Sequence, residues 1–163
     1  MPAKDHGCIS AILPLQGGKD VENIFVRKKR GRQYECRTIP FWAYNLSFGD
    51  TVECGPDEDG EGLFVQRVVK KSGNRTVRVG FKGRERARHP EALKFREYLD
   101  KKRLGYEFTN PNLFAINVPS EEAYSQLIAR LQEISGAADM VWEDGDPQPG
   151  VALDGSDLPS GKQ

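Results

Sequence analysis

Basic side chains are concentrated in the middle of the chain, where their spacing could bind an anionic partner. Lys82, Arg84, Arg86 and Arg88 alternate with other residues, so an extended segment would present all four on one side. Such a cluster could bind phosphates, bind an acidic protein, fold against the acidic stretch 143–157, or remain a solvated face. The residues predicted to bind a partner are Arg75, Arg78, Lys82, Arg84, Arg86 and Arg88.

Catalytic and metal-binding patterns are absent from the sequence. The two histidines, His6 and His89, lie near no nucleophile motif, and His6 with Cys8 would supply only two of the four ligands of a structural metal site. The acidic stretch 57–61 lacks the spacing of a calcium-binding loop. We therefore predict no enzyme activity, no catalytic residue, no metal and no cofactor.

Aromatic residues around one turn suggest a second kind of site. Tyr34, Trp42 and Phe48, with Asp50, could line a small-molecule pocket between two halves of the chain, although such aromatics more often form core. Asp50 follows a glycine and could either fix the turn through its side chain or pair with Arg78.

Charge, cysteine content and hydropathy limit the compartment and the partners. The formal net charge is zero, with 24 basic and 24 acidic residues. Three cysteines without a C-x-x-C pair argue against a disulfide framework, and a bridge between Cys36 and Cys54 would need an oxidising compartment. No apolar run approaches the roughly 20 residues of a membrane helix. We expect a cytoplasmic protein without a membrane partner.

The first half of the chain has the pattern of a small β-barrel. Strands are predicted at 21–28 and 34–39 as a hairpin, and at 52–54 and 63–71 around an acidic loop. The aromatic segment 40–48 is too apolar for a solvated loop. We expect it to form a short helix or a compact Ω-like segment that fills one end of the barrel.

The second half changes to alternating strand and helix patterns. Period-two alternation at 76–81 is followed by helical spacing to Arg103, two strands, a helix capped by Ser120, and a last strand with Met140 and Trp142 inward. This β-α-β-β-α-β order is typical of a ferredoxin-like sheet. Its exposed face would present Thr76, Arg78, Glu107, Asn117 and Glu143.

Together these patterns predict an α+β protein in which a small β-barrel-like half is fused to a ferredoxin-like half. The predicted boundaries are a flexible N-terminus at 1–7, a β-rich subdomain at 8–75, a ferredoxin-like subdomain at 76–143, and a disordered acidic tail at 144–163.

Several short motifs carry a resemblance to a known family. They are Ile39–Phe41, the Gly49-Asp50 pair, and the run Ser-Gly-Asn-x-Thr-Val-Arg that ends at Arg78. Jointly they resemble a bacterial family described as domain of unknown function 4265, over about residues 8–143. That family has no established activity, so the resemblance implies boundaries and little chemistry.

The function predicted from these observations is a non-catalytic protein-binding module. It could be an adaptor or an immunity protein that tethers or neutralises a partner protein. The alternative is a nucleic-acid-binding protein that uses the basic segment 70–103.

Overall fold

The computed structural model describes residues 7–15, 19–56, 59–82, 90–110, 112–134 and 139–146. This part of the chain contains nine strands and two α-helices, which confirms the α+β class. The elements are β1 (Cys8–Pro14), β2 (Val21–Arg30), β3 (Gln33–Cys36), β4 (Thr51–Pro56), β5 (Leu63–Lys70), β6 (Arg75–Phe81), α1 (Pro90–Lys102), β7 (Tyr106–Asn110), β8 (Leu113–Val118), α2 (Glu121–Ile134) and β9 (Met140–Asp144).

The first five strands form a closed barrel in chain order. Consecutive strands are antiparallel, and β1 closes the ring by pairing in parallel with β5, where Ile12 lies opposite Phe64. Strand alternation sends Ile24 and Val26 into the core and leaves Phe25 on the outer face. The predicted hairpin of β2 and β3 is confirmed.

The segment between β3 and β4, residues 37–50, fills the barrel end without forming a helix or a strand. Its Ala43 and Leu46 belong to the barrel core. We call residues 37–50 the plug. Of the two expected forms, a short helix or a compact Ω-like segment, the helix is wrong, because backbone N–H groups here bind the Glu22 carboxylate rather than the preceding turn of a helix.

The last four strands form an antiparallel sheet in the order β7-β8-β6-β9, with both helices sharing one core with its β6 and β8 side chains. Val77, Val79 and Phe81 lie on that face. The predicted helical stripes are confirmed: α1 buries Phe95, α2 buries Leu127, and the Ser120 hydroxyl caps α2. The helices have 13 and 14 residues, and no helix in the described chain has the length and hydropathy to span a membrane.

The opposite face of this sheet packs against the plug. Thr76 is buried and Arg78 is only 2% exposed, so the prediction that both lie on an open sheet face is wrong. Plug carbonyl groups cover Arg78, which sequence periodicity could not reveal. Trp142, predicted to point inward, is 36% exposed because β9 is an edge strand with one neighbour.

Candidate partner-binding surface

A buried ionic network joins the barrel to the end of the C-terminal sheet. The Lys71 ammonium donates hydrogen bonds to Asp50, to Asp146 at 2.8 Å, and to the backbone carbonyl of Asn45 at 2.9 Å. Ser47 donates to the same Asp146 carboxylate at 2.7 Å. We call Lys71, Asp50, Asp146, Ser47 and Thr76 the junction network. The Lys71 side chain is almost fully buried, so its three donors are used inside the protein.

Asp50 fixes the turn that precedes β4, which is the first of the two roles predicted for it. Its carboxylate accepts backbone N–H bonds from Ser47 and Ser72, both within 2.9 Å. Burial raises the pKa of Asp50, although the Lys71 charge and these hydrogen bonds oppose the rise. The alternative pairing of Asp50 with Arg78 is wrong, because Lys71 is its cationic partner.

Arg78 is held entirely by groups of its own chain. Its guanidinium donates to Glu143 at 2.8 Å and to the carbonyls of Pro40 and Ala43, and it lies over the Tyr44 ring. Such a buried guanidinium cannot reach a partner, so the assignment of Arg78 to a binding surface is wrong.

Arg75 is also used internally. It donates to Asp144 at 2.7 Å and stacks on the Tyr124 ring with its guanidinium carbon 3.6 Å from the ring centroid. Lys71, Arg75 and Arg78 thus bind Asp146, Asp144 and Glu143 respectively. The sequence left four possibilities open for the basic cluster. For these three cations the structure shows one of them, in which they fold against the start of the acidic stretch 143–157.

The remaining predicted cations have different positions. Lys82 is exposed at the end of β6. Arg84, Arg86 and Arg88, together with His6 and His89, lie outside the described residues.

The four residues of the predicted pocket do not converge on one site. Tyr34 is buried in the barrel core, and Asp50 is buried in the junction network. The Arg37 guanidinium carbon lies 4.6 Å from the centroid of the Phe48 ring, and Trp42 is exposed. The three aromatic side chains therefore lie in three different environments.

Three exposed apolar side chains lie on β2 and on the part of the plug beside it, and the sequence patterns did not single them out as a site. Phe25 is 58% exposed and Trp42 is 52% exposed, and Val21 at the start of β2 is similarly open. The plug runs beside β2, since the backbone N–H of Arg37 donates to the Phe25 carbonyl and the backbone N–H groups of 41–43 donate to the Glu22 carboxylate. We call Val21, Phe25 and Trp42 the β2 face. The only sequence signal was the position of Phe25 opposite its buried neighbours.

Glu22 makes the backbone under Trp42 rigid. Its buried carboxylate accepts N–H bonds of 2.7, 3.1 and 3.0 Å from Phe41, Trp42 and Ala43. A carboxylate bound by several backbone donors is strongly held. The Trp42 side chain is consequently displayed from a fixed turn.

Burial changes the acidity of two of the three cysteines. Burial raises the pKa of both the Cys36 and the Cys54 thiol to about 12, which leaves them protonated at neutral pH. Within the described ranges, no three His, Cys, Asp or Glu side chains are grouped so that they could hold a metal ion.

The family follows from a comparison with protein-family models. The model for Domain of unknown function (DUF4265) matches residues 22–143, which is most of the chain. The chain belongs to this family. No curated protein matches the chain.

A solved structure described as "Novel crystal structure of a hypothetical protein from Neisseria gonorrhoeae" has a similar fold. It aligns with a TM-score of 0.68 at 16% identity, over 89% of this chain and 96% of that chain. At this identity the likeness concerns the fold alone.

Proposed function

We propose that this protein is a non-catalytic protein-binding module and that its partner docks on the β2 face. The single observation behind the proposal is that Phe25 and Trp42 are each more than half exposed on a backbone fixed by pairing with β1 and by Glu22. The module would act as an adaptor or an immunity protein that tethers or neutralises its partner.

Exposed aromatic side chains on rigid backbone suit protein recognition. Trp and Tyr dominate interface hot spots, and burying an aromatic side chain removes a large apolar area from water. Because both backbones are already ordered, little conformational entropy would be lost on binding. These features favour a docking surface over a solvated loop.

The nucleic-acid alternative is weakened by how the segment 70–103 uses its charges. Lys71, Arg75 and Arg78 bind carboxylates of their own chain and are unavailable to phosphates. The exposed Lys70, Lys82 and α1 cations remain. We keep nucleic-acid binding as an outcome of the experiment below.

The test is an affinity capture from a lysate of the natural host, run with and without nuclease. We compare the wild-type chain with the Phe25→Ser/Trp42→Ser double variant, and use Leu93→Ser as a control because Leu93 is a 53% exposed apolar residue on α1. A stoichiometric protein that survives nuclease, binds the control, and is lost by the double variant supports the proposal. Captured nucleic acid with no such protein, or capture that the double variant retains, contradicts it.

Two finer points of architecture and location accompany the proposal. We propose that the second half is a ferredoxin-like unit, supported by the antiparallel order β7-β8-β6-β9 and by the two helices that share one core with it. We also propose that the protein acts in the cytoplasm, supported by the free thiols of Cys8, Cys36 and Cys54.

A further inference from the structure

Each half of the molecule has its own hydrophobic core. Val65 belongs to the barrel core and Val79 to the core of the second sheet, and no described residue is shared by the two. Among the described residues, only Ile39 and Ala115 are buried apolar side chains that belong to neither core. The chain passes from barrel to sheet once, through residues 71–74. Apolar burial therefore stabilises each half separately and does little to hold the halves together.

The contacts between β6 and the plug are polar. The Arg78 guanidinium donates to the carbonyls of Pro40 and Ala43 at 3.2 and 2.7 Å. The hydroxyl groups of Thr76 and Ser47 form a hydrogen bond of 3.0 Å. Interfaces between units of one chain are typically polar in this way, and relative motion of the units is the usual expectation for them.

The end of β9 and the two residues after it cross this junction. We call residues 143–146 the strap. Each of its three carboxylates accepts hydrogen bonds from one cation and from one hydroxyl group. The sets are Glu143 with Arg78 and Tyr44, Asp144 with Arg75 and Tyr124, and Asp146 with Lys71 and Ser47.

The strap also fits the junction closely through Gly145. The Gly145 carbonyl accepts a hydrogen bond from the Asn45 N–H of the plug at 2.8 Å, and the Gly145 N–H donates to the Thr76 carbonyl at 2.8 Å. A Cβ at position 145 would lie 2.9 Å from the guanidinium carbon of Arg78. That guanidinium is buried and held by Glu143, so it has little room to move away.

The polar groups at the strap are incompletely matched. Asn45 Oδ1, Arg78 Nη2 and Asp146 Oδ1 are buried without a hydrogen-bond partner among the described groups of the protein. Opening the junction would return these atoms to solvent, which lowers the free energy needed to part the halves. The closed form is therefore held by specific bonds and weakened by those that are not made.

We infer that the barrel and the second sheet part at this junction while each half stays folded, and that the strap is the lock that keeps them closed. Parting uncovers the sheet face that carries Thr76, Arg78 and Ala115, which is buried in the closed form. Two units with separate cores and a polar contact between them are suited to such partial opening, because neither core has to be broken.

The test measures thiol labelling at position 115. Ala115 is fully buried opposite Arg78, so the thiol of the Ala115→Cys variant reacts only when this face is uncovered. The variant is made together with Cys8→Ser, and its labelling rate is compared with the rates of Cys36 and Cys54 in the barrel core. We expect position 115 to react at least about tenfold faster than these two thiols. Equal rates would mean that the face is uncovered only when the whole chain unfolds, which overturns the inference.

Two matched core substitutions show whether the halves stay folded during opening. Val65→Ala leaves a cavity in the barrel core, and Val79→Ala leaves one in the core of the second sheet. Neither should change the labelling rate at position 115 by more than about twofold. Val65→Ala should raise the rates of Cys36 and Cys54 about tenfold or more. Faster labelling at position 115 in Val79→Ala would mean that the sheet itself unfolds, and the inference would then fail.

A pair of glycine substitutions tests the strap as the lock. Gly145→Ala should raise the labelling rate at position 115 at least about tenfold, because the added Cβ presses on the held Arg78 guanidinium. Gly80→Ala on the same face of the sheet is the control and should leave the rate unchanged. A Cβ at position 80 meets only ordinary contacts, the nearest at 3.5 Å. Equal rates in these two variants would overturn the role of the strap.

A milder variant and a second readout cover the case in which Gly145→Ala does not fold. Tyr44→Phe removes only the hydroxyl that donates to Glu143, and it should raise the labelling rate at position 115 about fivefold. Amide hydrogen exchange at Asn45, whose N–H binds the strap, repeats the comparison without the cysteine reporter. Exchange at Asn45 that is as slow as in β4 and β8, and unaltered by Tyr44→Phe, would contradict the opening.

Discussion

Lys71 and Asp146 form a buried ion pair at 2.8 Å although they lie 75 positions apart in the chain. Lys71 follows the last barrel strand, and Asp146 follows the last strand of the second sheet. The same ammonium binds Asp50 in the barrel. One lysine therefore connects both ends of the fold, and its removal would leave two buried carboxylates without their cation.

The first prediction concerns that lysine. Lys71→Met should lower the free energy of unfolding by about 3–5 kcal/mol, because removing one partner of a buried ion pair leaves uncompensated charge. Urea unfolding followed by circular dichroism measures the loss. Lys70→Met, at the exposed neighbouring position, should change stability by less than about 0.5 kcal/mol. Equal effects of the two substitutions would show that the network contributes nothing specific.

Local periodicity was sufficient to predict the parts of the fold that depend on neighbouring residues. The α2 stripe of Leu127 and Leu131 and the inward pair Ile24 and Val26 all follow from the repeat of a helix or a strand. Each pattern is set by burial of one face, which the sequence displays directly.

Long-range pairing of charges could not be predicted in the same way. Lys71 had 24 acidic residues as candidate partners, and charge alone does not distinguish Asp146 from the others. The exposure of Trp42 was equally hidden, because it depends on how Glu22 holds the plug across 20 positions of chain. For this reason the sequence predicted a binding surface from basic residues, although three of them form ion pairs inside the protein.

The second prediction concerns Glu22 and the rigidity of the plug. Glu22→Gln keeps one acceptor oxygen but points an amide N–H group toward backbone donors, so it should cost about 1–3 kcal/mol of stability. Amide hydrogen exchange at residues 41–43 should become faster than in the wild type. Glu53→Gln, which removes a half-exposed ion pair with Arg67 in the same barrel, should cost less than about 1 kcal/mol and leave exchange at 41–43 unchanged. Unaltered exchange in the Glu22 variant would refute the role given to this carboxylate.

The third prediction separates the cysteines. Cys36 and Cys54 are buried, and burial raises the pKa of each thiol to about 12, whereas Cys8 is partly exposed near the start of β1. An aromatic disulfide reagent should label a single thiol rapidly in the native protein, and Cys8→Ser should abolish that rapid phase. Unfolding in urea should release the other two thiols. Rapid labelling of two or three thiols in the native state would contradict the closed barrel core.

The fourth prediction concerns the pH dependence contributed by Glu107 on β7. Partial burial, and then the nearby Glu22 charge, raise the pKa of Glu107 above its ordinary value. The folded state therefore binds this proton more tightly than the unfolded chain does. The resulting stability is present at pH values below the ordinary carboxyl pKa and is lost as the pH rises through the raised folded-state pKa.

Glu107→Gln removes this charge, so near pH 7 the variant should be more stable than the wild type, by at most about 1 kcal/mol because solvent screens the partly exposed group. The difference should shrink as the pH falls below about 4, where the wild-type carboxyl becomes protonated in both states. Thermal unfolding over this range measures it, and Glu97→Gln at an exposed position of α1 serves as the control. A pH-independent difference would mean that the substitution acts through packing rather than through the charge of Glu107.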